Sequence, residues 1–209
     1  MNTRARVVQR VPSVSLSLEG FPLRHHRGEV YRAARRAPWW FCTCGDCRFD
    51  LDGGTPAGLG TLYSGVDPIT GVLETIGPEM SRPITRAFLA ERIIWMLAYD
   101  RPLDVADLCD DAAVGFGVTN ELSSMTPYDV PQAWARVFAE AGWDGIAYRT
   151  RFSTGPHATG IALFDDAGAK DWVAVQYCRA DDPEIVAALE ERHITVDEVP
   201  PAAALTFLA

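Results

Sequence analysis

The chain has 209 residues, a net charge of −9 and 48% hydrophobic residues. That is enough to bury one sizeable core, no apolar run reaches the length of a membrane span, and the acidic balance argues against general nucleic-acid binding. Five cysteines, an odd number, fit reduced thiols rather than a disulfide framework.

Residues 1–26 begin basic and turn polar, and Ser13, Ser15 and Ser17 interrupt any apolar centre a secretory leader would need. We expect a cytoplasmic protein with a partly mobile extension over 1–26 and one domain over 27–209. Glu29 to Ala33 predicts the first core strand, with Val30 and Arg32 of opposite parity to Tyr31. Arg24, Arg27, Arg32, Arg35, Arg36 and Arg48 make this stretch basic within an acidic chain. Trp39-Trp40-Phe41 reads first as core packing and second as a wall for a flat ring.

Cys42, Cys44 and Cys47 lie close together. A zinc knuckle would need a fourth ligand from Cys109, Cys178, His25 or His26, and no second cysteine pair is present, so no metal is expected. Asp52-Gly53-Gly54 and Gly58-x-Gly60 predict a turn region whose backbone can approach a phosphate, without the strand–GxGxxG–helix order of a dinucleotide fold. Leu62-Tyr63 then reads as a strand end. Asp67 is an N-cap and Pro68 a first helical residue, for a short apolar helix to Ile76 that carries Glu74.

From Arg86 to Leu97 the run is too apolar for an exposed helix; it predicts two strands turning near Ala90-Glu91, with a buried helix as the alternative. Leu103 to Leu108 is a strand or short helix, and Asn120 to Thr126 a polar loop. Tyr128 to Ala141 is a helix on the spacing of Val130, Ala133, Trp134, Val137, Phe138 and Ala141, closed by Gly142. Gly145 to Thr150 and Gly160 to Phe164 are paired strands, Trp172 to Tyr177 another, and Pro183 to Arg192 a helix before an apolar tail. Many strands and few helices in non-alternating order give an α+β domain.

Tyr31-Arg32, Arg48-Phe49-Asp50, Gly60-Thr61-Leu62-Tyr63, Asp67 to Glu74, and Trp143 to Arg151 stand in an order and spacing that resembles the RES domain family, over roughly Gly28 to Asp165. That family is named for an arginine, a glutamate and a serine. Its members resemble ADP-ribosyltransferases in fold, consume NAD, and are often toxins of bacterial toxin–antitoxin pairs. The resemblance implies a mixed, mostly antiparallel sheet with flanking helices, NAD as substrate with no required cofactor, and a helix-turn-helix antitoxin as partner, with no nucleic acid or membrane bound directly. Thr150 stands where the family usually has its serine, and Ala33 where some relatives have a tyrosine.

The residue types suit that chemistry. Guanidinium forks match pyrophosphate oxygens, a role for Arg32 and Arg48, with Arg151 beside them. Tyr63 offers a face to nicotinamide. Cleavage of the nicotinamide–ribose bond develops oxocarbenium character, which a fixed carboxylate, Glu74, stabilises. Thr150 supplies a hydroxyl, with Ser153 as the alternative. The expected catalytic set is Arg32, Glu74 and Thr150; the expected NAD-binding set is Arg32, Arg48, Tyr63, Thr150 and Arg151. Phosphate, water or a protein side chain is the acceptor, making the enzyme an NAD phosphorylase, a glycohydrolase or an ADP-ribosyltransferase. The reading from another class is an inactive module that binds a nucleotide or a partner.

Overall fold

A computed structural model describes residues 9–35, 37–51, 58–80, 82–153, 155 and 158–198. In chain order the elements are β1 (Leu23–His26), β2 (Val30–Ala34), β3 (Trp40–Phe41), β4 (Leu59–Gly65), α1 (Pro68–Ile76), β5 (Ile84–Thr85), α2 (Arg86–Ala90), β6 (Ile93–Leu97), β7 (Leu103–Asp107), α3 (Asp129–Glu140), β8 (Gly145–Arg149), β9 (Thr159–Asp166), β10 (Gly168–Ala169), β11 (Ala174–Arg179), α4 (Pro183–Glu190) and β12 (Val196–Asp197). Eight strands form one sheet in the order β1-β7-β8-β9-β4-β2-β6-β11. Every pairing in it is antiparallel except β7 with β8. This is the expected α+β architecture of a mixed, mostly antiparallel sheet with flanking helices. No described helix is long and apolar enough to cross a membrane.

Residues opposite one another in antiparallel strands share a face. Tyr148 faces Gly160, Ala162 faces Tyr63, and Gly65 faces Tyr31, so these six lie on one side. Over this side α3 buries Trp134 and Phe138 against Ile146, Tyr148 and Ala162, while α1 buries Val72, Leu73 and Ile76 beside Ala33. The other side carries Val30, Leu62, Ala147, Ile161 and Leu163 under Trp39 and Phe41. Trp39 and Phe41 are therefore core residues, whereas Trp40 is 47% exposed.

Several elements differ from expectation for identifiable reasons. The described part of residues 1–26, read as an extension, is packed on the domain. Gln9 is buried, with its backbone N–H on Glu121 Oε2 at 2.7 Å and its Oε1 accepting from Thr119 N at 2.7 Å; Phe21 joins the core, and β1 pairs with β7. The first half of Arg86–Leu97 is helix and only the second half is strand, because the Thr85 hydroxyl accepts from Phe88 N at 3.1 Å and caps a short helix. Asn120–Ser123 is a 3₁₀ turn rather than open loop. The stretch 52–57 and the apolar tail 199–209 lie outside the described residues. Gly60 packs closely on β3: a Cβ there would lie 2.8 Å from the Phe41 backbone.

The α1 contact is unusually close. A Cβ on Gly71 would lie 2.4 Å from Tyr31 O, and one on Gly65 would lie 2.5 Å from Gly71 N. The helix backbone thus rests directly on β2 and β4. Thr75 Oγ1 adds a hydrogen bond to Ala33 O at 2.9 Å. Gly71→Ala gains about 1 kcal/mol of helix propensity, but the opposing atoms are backbone and cannot swing away. The clash wins, and we expect a net loss of about 2 kcal/mol in urea unfolding; a variant as stable as wild type would show that α1 can lift off the sheet without cost.

Candidate active site

The site forms where the sheet opens. β2 and β4 pair at one position only, Tyr31 with Gly65. Beyond it the two strands separate, and a cavity of about 1010 Å³ lies there, at the upper end of the range for small-molecule sites. Its lining includes Arg32, Trp40, Tyr63, Glu74, Arg82 and Arg92. Three of the residues singled out in the sequence, Arg32, Tyr63 and Glu74, therefore share one cavity.

Glu74 is placed by the α1 cap and by the glycine contact. Asp67 Oδ1 accepts from Thr70 N at 2.8 Å, and Asp67 Oδ2 accepts from the Thr70 hydroxyl at 2.5 Å. Pro68 follows at the first turn. The Glu74 carboxyl then meets Tyr148, whose hydroxyl donates to Oε2 at 2.5 Å. The other oxygen, Oε1, is buried with no hydrogen-bond partner among the described residues. Burial raises the Glu74 pKa above the ordinary carboxylate value, while the Tyr148 hydrogen bond and the Arg48 charge lower it part of the way. Burial, then the Glu74 charge, raises the Tyr148 phenol well above its usual range, so Tyr148 stays a donor. Gly160 makes room for it: a Cβ there would lie 2.5 Å from Tyr148 Cζ.

Arg48 sits behind this pair. It is 7% exposed, its Nε is buried without a partner, and its guanidinium lies 5.6 Å from the Tyr128 ring centroid. The residues after it form a tight network. Tyr63 OH donates to Asp50 Oδ1 at 3.0 Å and accepts from Phe49 N at 2.7 Å, and Thr61 Oγ1 bridges Phe49 O at 3.0 Å and Leu51 N at 3.1 Å. Tyr63 is thus anchored by its hydroxyl, with its ring on the cavity wall.

Arg32 reaches the cavity from the opposite parity of β2, its Nη1 donating to Trp40 O at 2.9 Å. Burial pulls its pKa down to about 10, so it keeps its charge at neutral pH. Neither Arg32 nor Arg48 makes an ion pair with a carboxylate among the described residues. Asp50, two residues after Arg48, is taken by Tyr63, the Cys47 backbone and Cys44.

Thr150 follows β8 immediately, two residues past Tyr148. It is 5% exposed and its Oγ1 is buried without a partner. Phe152, two residues on, packs on Gly77 at the end of α1, where a Cβ would lie 2.1 Å from the ring. Thr150 is therefore held between two residues that both touch α1. Arg151 is exposed, 5.8 Å from the Phe152 ring centroid, and is not part of the cavity lining. Ser153 accepts from Gly155 N at 3.3 Å, and His157 lies outside the described residues.

Two site residues carried no sequence signal of function. Tyr148 lies within an apolar strand and reads as core. Arg92 lies inside the apolar run that predicted strands, yet it is 7% exposed, lies 3.6 Å above the Phe88 ring and bonds Phe88 O through Nη1. Burial lowers its pKa, with Arg35 adding to the effect and Glu91 and Glu79 opposing it.

A family model described as the RES domain matches residues 23–183. Among solved structures, the fold is similar to a chain in the crystal structure of the M. tuberculosis MbcT–MbcA toxin–antitoxin complex, with a TM-score of 0.56 and 13% identity, covering 81% of this chain and 94% of that one. No sequence among the curated proteins matches the chain.

Between the ordinary carboxylate pKa and the raised value of Glu74, the folded protein holds more protons than the unfolded chain, so the group's contribution to stability falls as pH rises through that window. Glu74→Gln removes this titration. We expect its urea midpoint to exceed that of wild type above the window and the difference to shrink below it. Tyr148→Phe removes one of the two groups stabilising the anion and should raise the Glu74 pKa further, as read by a carboxyl infrared band. A midpoint difference that does not change with pH would show that Glu74 titrates as an exposed acid.

Proposed function

The chain belongs to the RES domain family, and from that premise we propose that it consumes NAD by cleaving the nicotinamide–ribose bond, as the toxin of a toxin–antitoxin pair. The observation that carries this reading is the Glu74 carboxylate, with one oxygen held by Tyr148 and the other buried and unpartnered, at the wall of a cavity rich in arginine. A buried carboxylate oxygen with no hydrogen-bond partner leaves part of its desolvation cost uncompensated. A ribose hydroxyl, or the positive charge that develops at the anomeric carbon, supplies that compensation.

In this reading Arg32 holds the pyrophosphate by its guanidinium fork, with Arg48 set behind Glu74 as a fixed positive charge. The Tyr63 ring and the exposed Trp40 offer flat surfaces for the two heterocycles. The C1′–N bond breaks and its electron pair leaves with nicotinamide, which becomes neutral. An acceptor oxygen then bonds C1′ and gives up its proton. Glu74 stabilises the cationic stage electrostatically, and ionisation of Glu74 is itself favoured by that charge. The Thr150 hydroxyl, buried and unpartnered, orients the substrate in place of the serine. Arg151 binds phosphate from the loop edge. The similar chain comes from a toxin–antitoxin complex, which supports a cognate antitoxin as partner; in this reading that antitoxin is of helix-turn-helix type and silences the cavity.

NAD is incubated with the protein with and without inorganic phosphate, and nicotinamide is measured. Release that depends on phosphate assigns a phosphorylase, and release without it a glycohydrolase. We expect Glu74→Gln to bind NAD normally and to lose about 10²-fold or more in turnover, the scale of one preorganised electrostatic group. Arg32→Lys should weaken NAD binding by more than its unchanged charge implies, because the fork is lost. No nicotinamide release under either condition, from protein that binds NAD by calorimetry, would overturn the enzymatic reading in favour of a nucleotide-binding module.

A further inference from the structure

Cys42, Cys44 and Cys47 seemed from the sequence to lack a fourth ligand. The four residues considered for that place lie elsewhere: His25 and His26 are on β1, Cys178 is on β11, and Cys109 follows β7 with its N–H on Asp107 Oδ1 at 3.0 Å. Asp50 comes instead. One sulfur each from Cys42 and Cys44 and one carboxylate oxygen of Asp50 lie within 4.8 Å of one another. Cys44 Sγ donates to Asp50 Oδ2 at 3.1 Å, and the Cys47 backbone N–H donates to the same oxygen at 3.0 Å. Two thiols and a carboxylate are thus gathered in space, and Cys47 adds a third thiol from the same turn in the sequence pattern Cys-x-Cys-x-x-Cys-x-x-Asp.

The backbone around them is braced. Cys42 exchanges two hydrogen bonds with Thr61, at 2.9 and 2.8 Å. Gly45, at φ +76, takes the left-handed turn between Cys44 and Cys47. Gln132 from α3 donates to Gly45 O at 2.8 Å and to Cys47 O at 2.9 Å. The second Asp50 oxygen is fixed by Tyr63 OH, the outer hydrogen bond that orients a ligating carboxylate. Around zinc, sulfurs at about 2.3 Å in a tetrahedron stand about 3.8 Å apart, so contraction by about 1 Å brings Cys42, Cys44 and Asp50 to ligating distance, and a turn of the Cys47 side chain supplies the fourth ligand.

We propose that Cys42, Cys44, Cys47 and Asp50 form a structural zinc site that braces the loop carrying Arg48. Thiolate donors select zinc over magnesium or calcium. Binding replaces three S–H protons, which are released, and leaves the ion with four ligands and a net charge of about −2 from three thiolates, one carboxylate and a dication. Arg32 and Arg48, which have no carboxylate partner among the described residues, offset that charge; Cys42 and Cys47 are among the groups that act on Arg32. Buried Asp50, 1% exposed, likewise makes no ion pair with a cation among the described residues, and zinc supplies one.

The full chain is purified under reducing conditions without chelator and its metal measured by mass spectrometry. We expect one zinc per chain, a lower melting temperature after chelation, and recovery with zinc but not magnesium. Cobalt added to the stripped protein should give a sulfur-to-cobalt charge-transfer band that saturates at one equivalent. Cys42→Ser and Cys44→Ser should lose the band, while Cys109→Ser and Cys178→Ser keep it. Metal-free wild type with no cobalt band, or a band unchanged in Cys44→Ser, would overturn the site, as would a Cys42–Cys44 disulfide in protein kept under reductant. None of these readouts depends on NAD turnover.

Discussion

Gly71 brings the backbone of α1 against the carbonyl of Tyr31, at a separation no β-carbon fits. Gly65 repeats the condition from β4. Two glycines in contact across a helix and a strand give up side-chain packing and helix propensity, and gain a helix axis whose height above the sheet is set by backbone atoms alone. Glu74 inherits that height. Its distance to Tyr148, which rises from β8 over Gly160, is fixed from below by the sheet and from above by the helix. The Asp67 cap and the Thr75 bond to Ala33 hold the same helix at its start and along its length.

The site assembled this way is rich in polar atoms that are buried and unpartnered. Arg48 Nε, Glu74 Oε1 and Thr150 Oγ1 are three of the six such side-chain atoms among the described residues, and all three belong to residues chosen from the sequence for chemistry. Buried polar groups are ordinarily satisfied; of these three residues, Glu74 lines the cavity, while Arg48 and Thr150 are not part of its lining. The raised pKa of Glu74 has the same origin, burial of the carboxyl away from solvent.

The sequence announced α1 almost completely, because its signals are local. A capping aspartate, a proline at the first turn and apolar spacing specify a short helix whatever surrounds it, and the helix lies within one residue of its expected range. α3 was equally legible through its spacing, and β8 and β9 through their paired apolar runs. Arg86–Leu97 was not, because a run apolar on all sides does not distinguish a buried helix from a buried strand, and the decisive Thr85 cap lies just outside it. Tyr148 and Asp50 escaped for a different reason. Their roles come from partners 74 and 13 residues away along the chain, and nothing in their own neighbourhood encodes such a meeting. Arg32, Tyr63 and Glu74 could be grouped only because their order resembles a family pattern; the cavity then shows that they share a wall.

The two walls of that cavity are built from different materials, and the difference bears on how such an enzyme can diversify. The α1 wall is registered by backbone against backbone, so almost any change at Gly65 or Gly71 displaces the carboxylate along with the helix. The facing wall, from Glu79 to Arg92, is made of side chains: Arg82, Ile84, Phe88 and Arg92. Arg82 is exposed on that wall, so it can be exchanged without disturbing the core, whereas Ile84 and Arg92 are buried. Inheritance can therefore vary what the cavity admits while the height of Glu74 above the sheet stays the same.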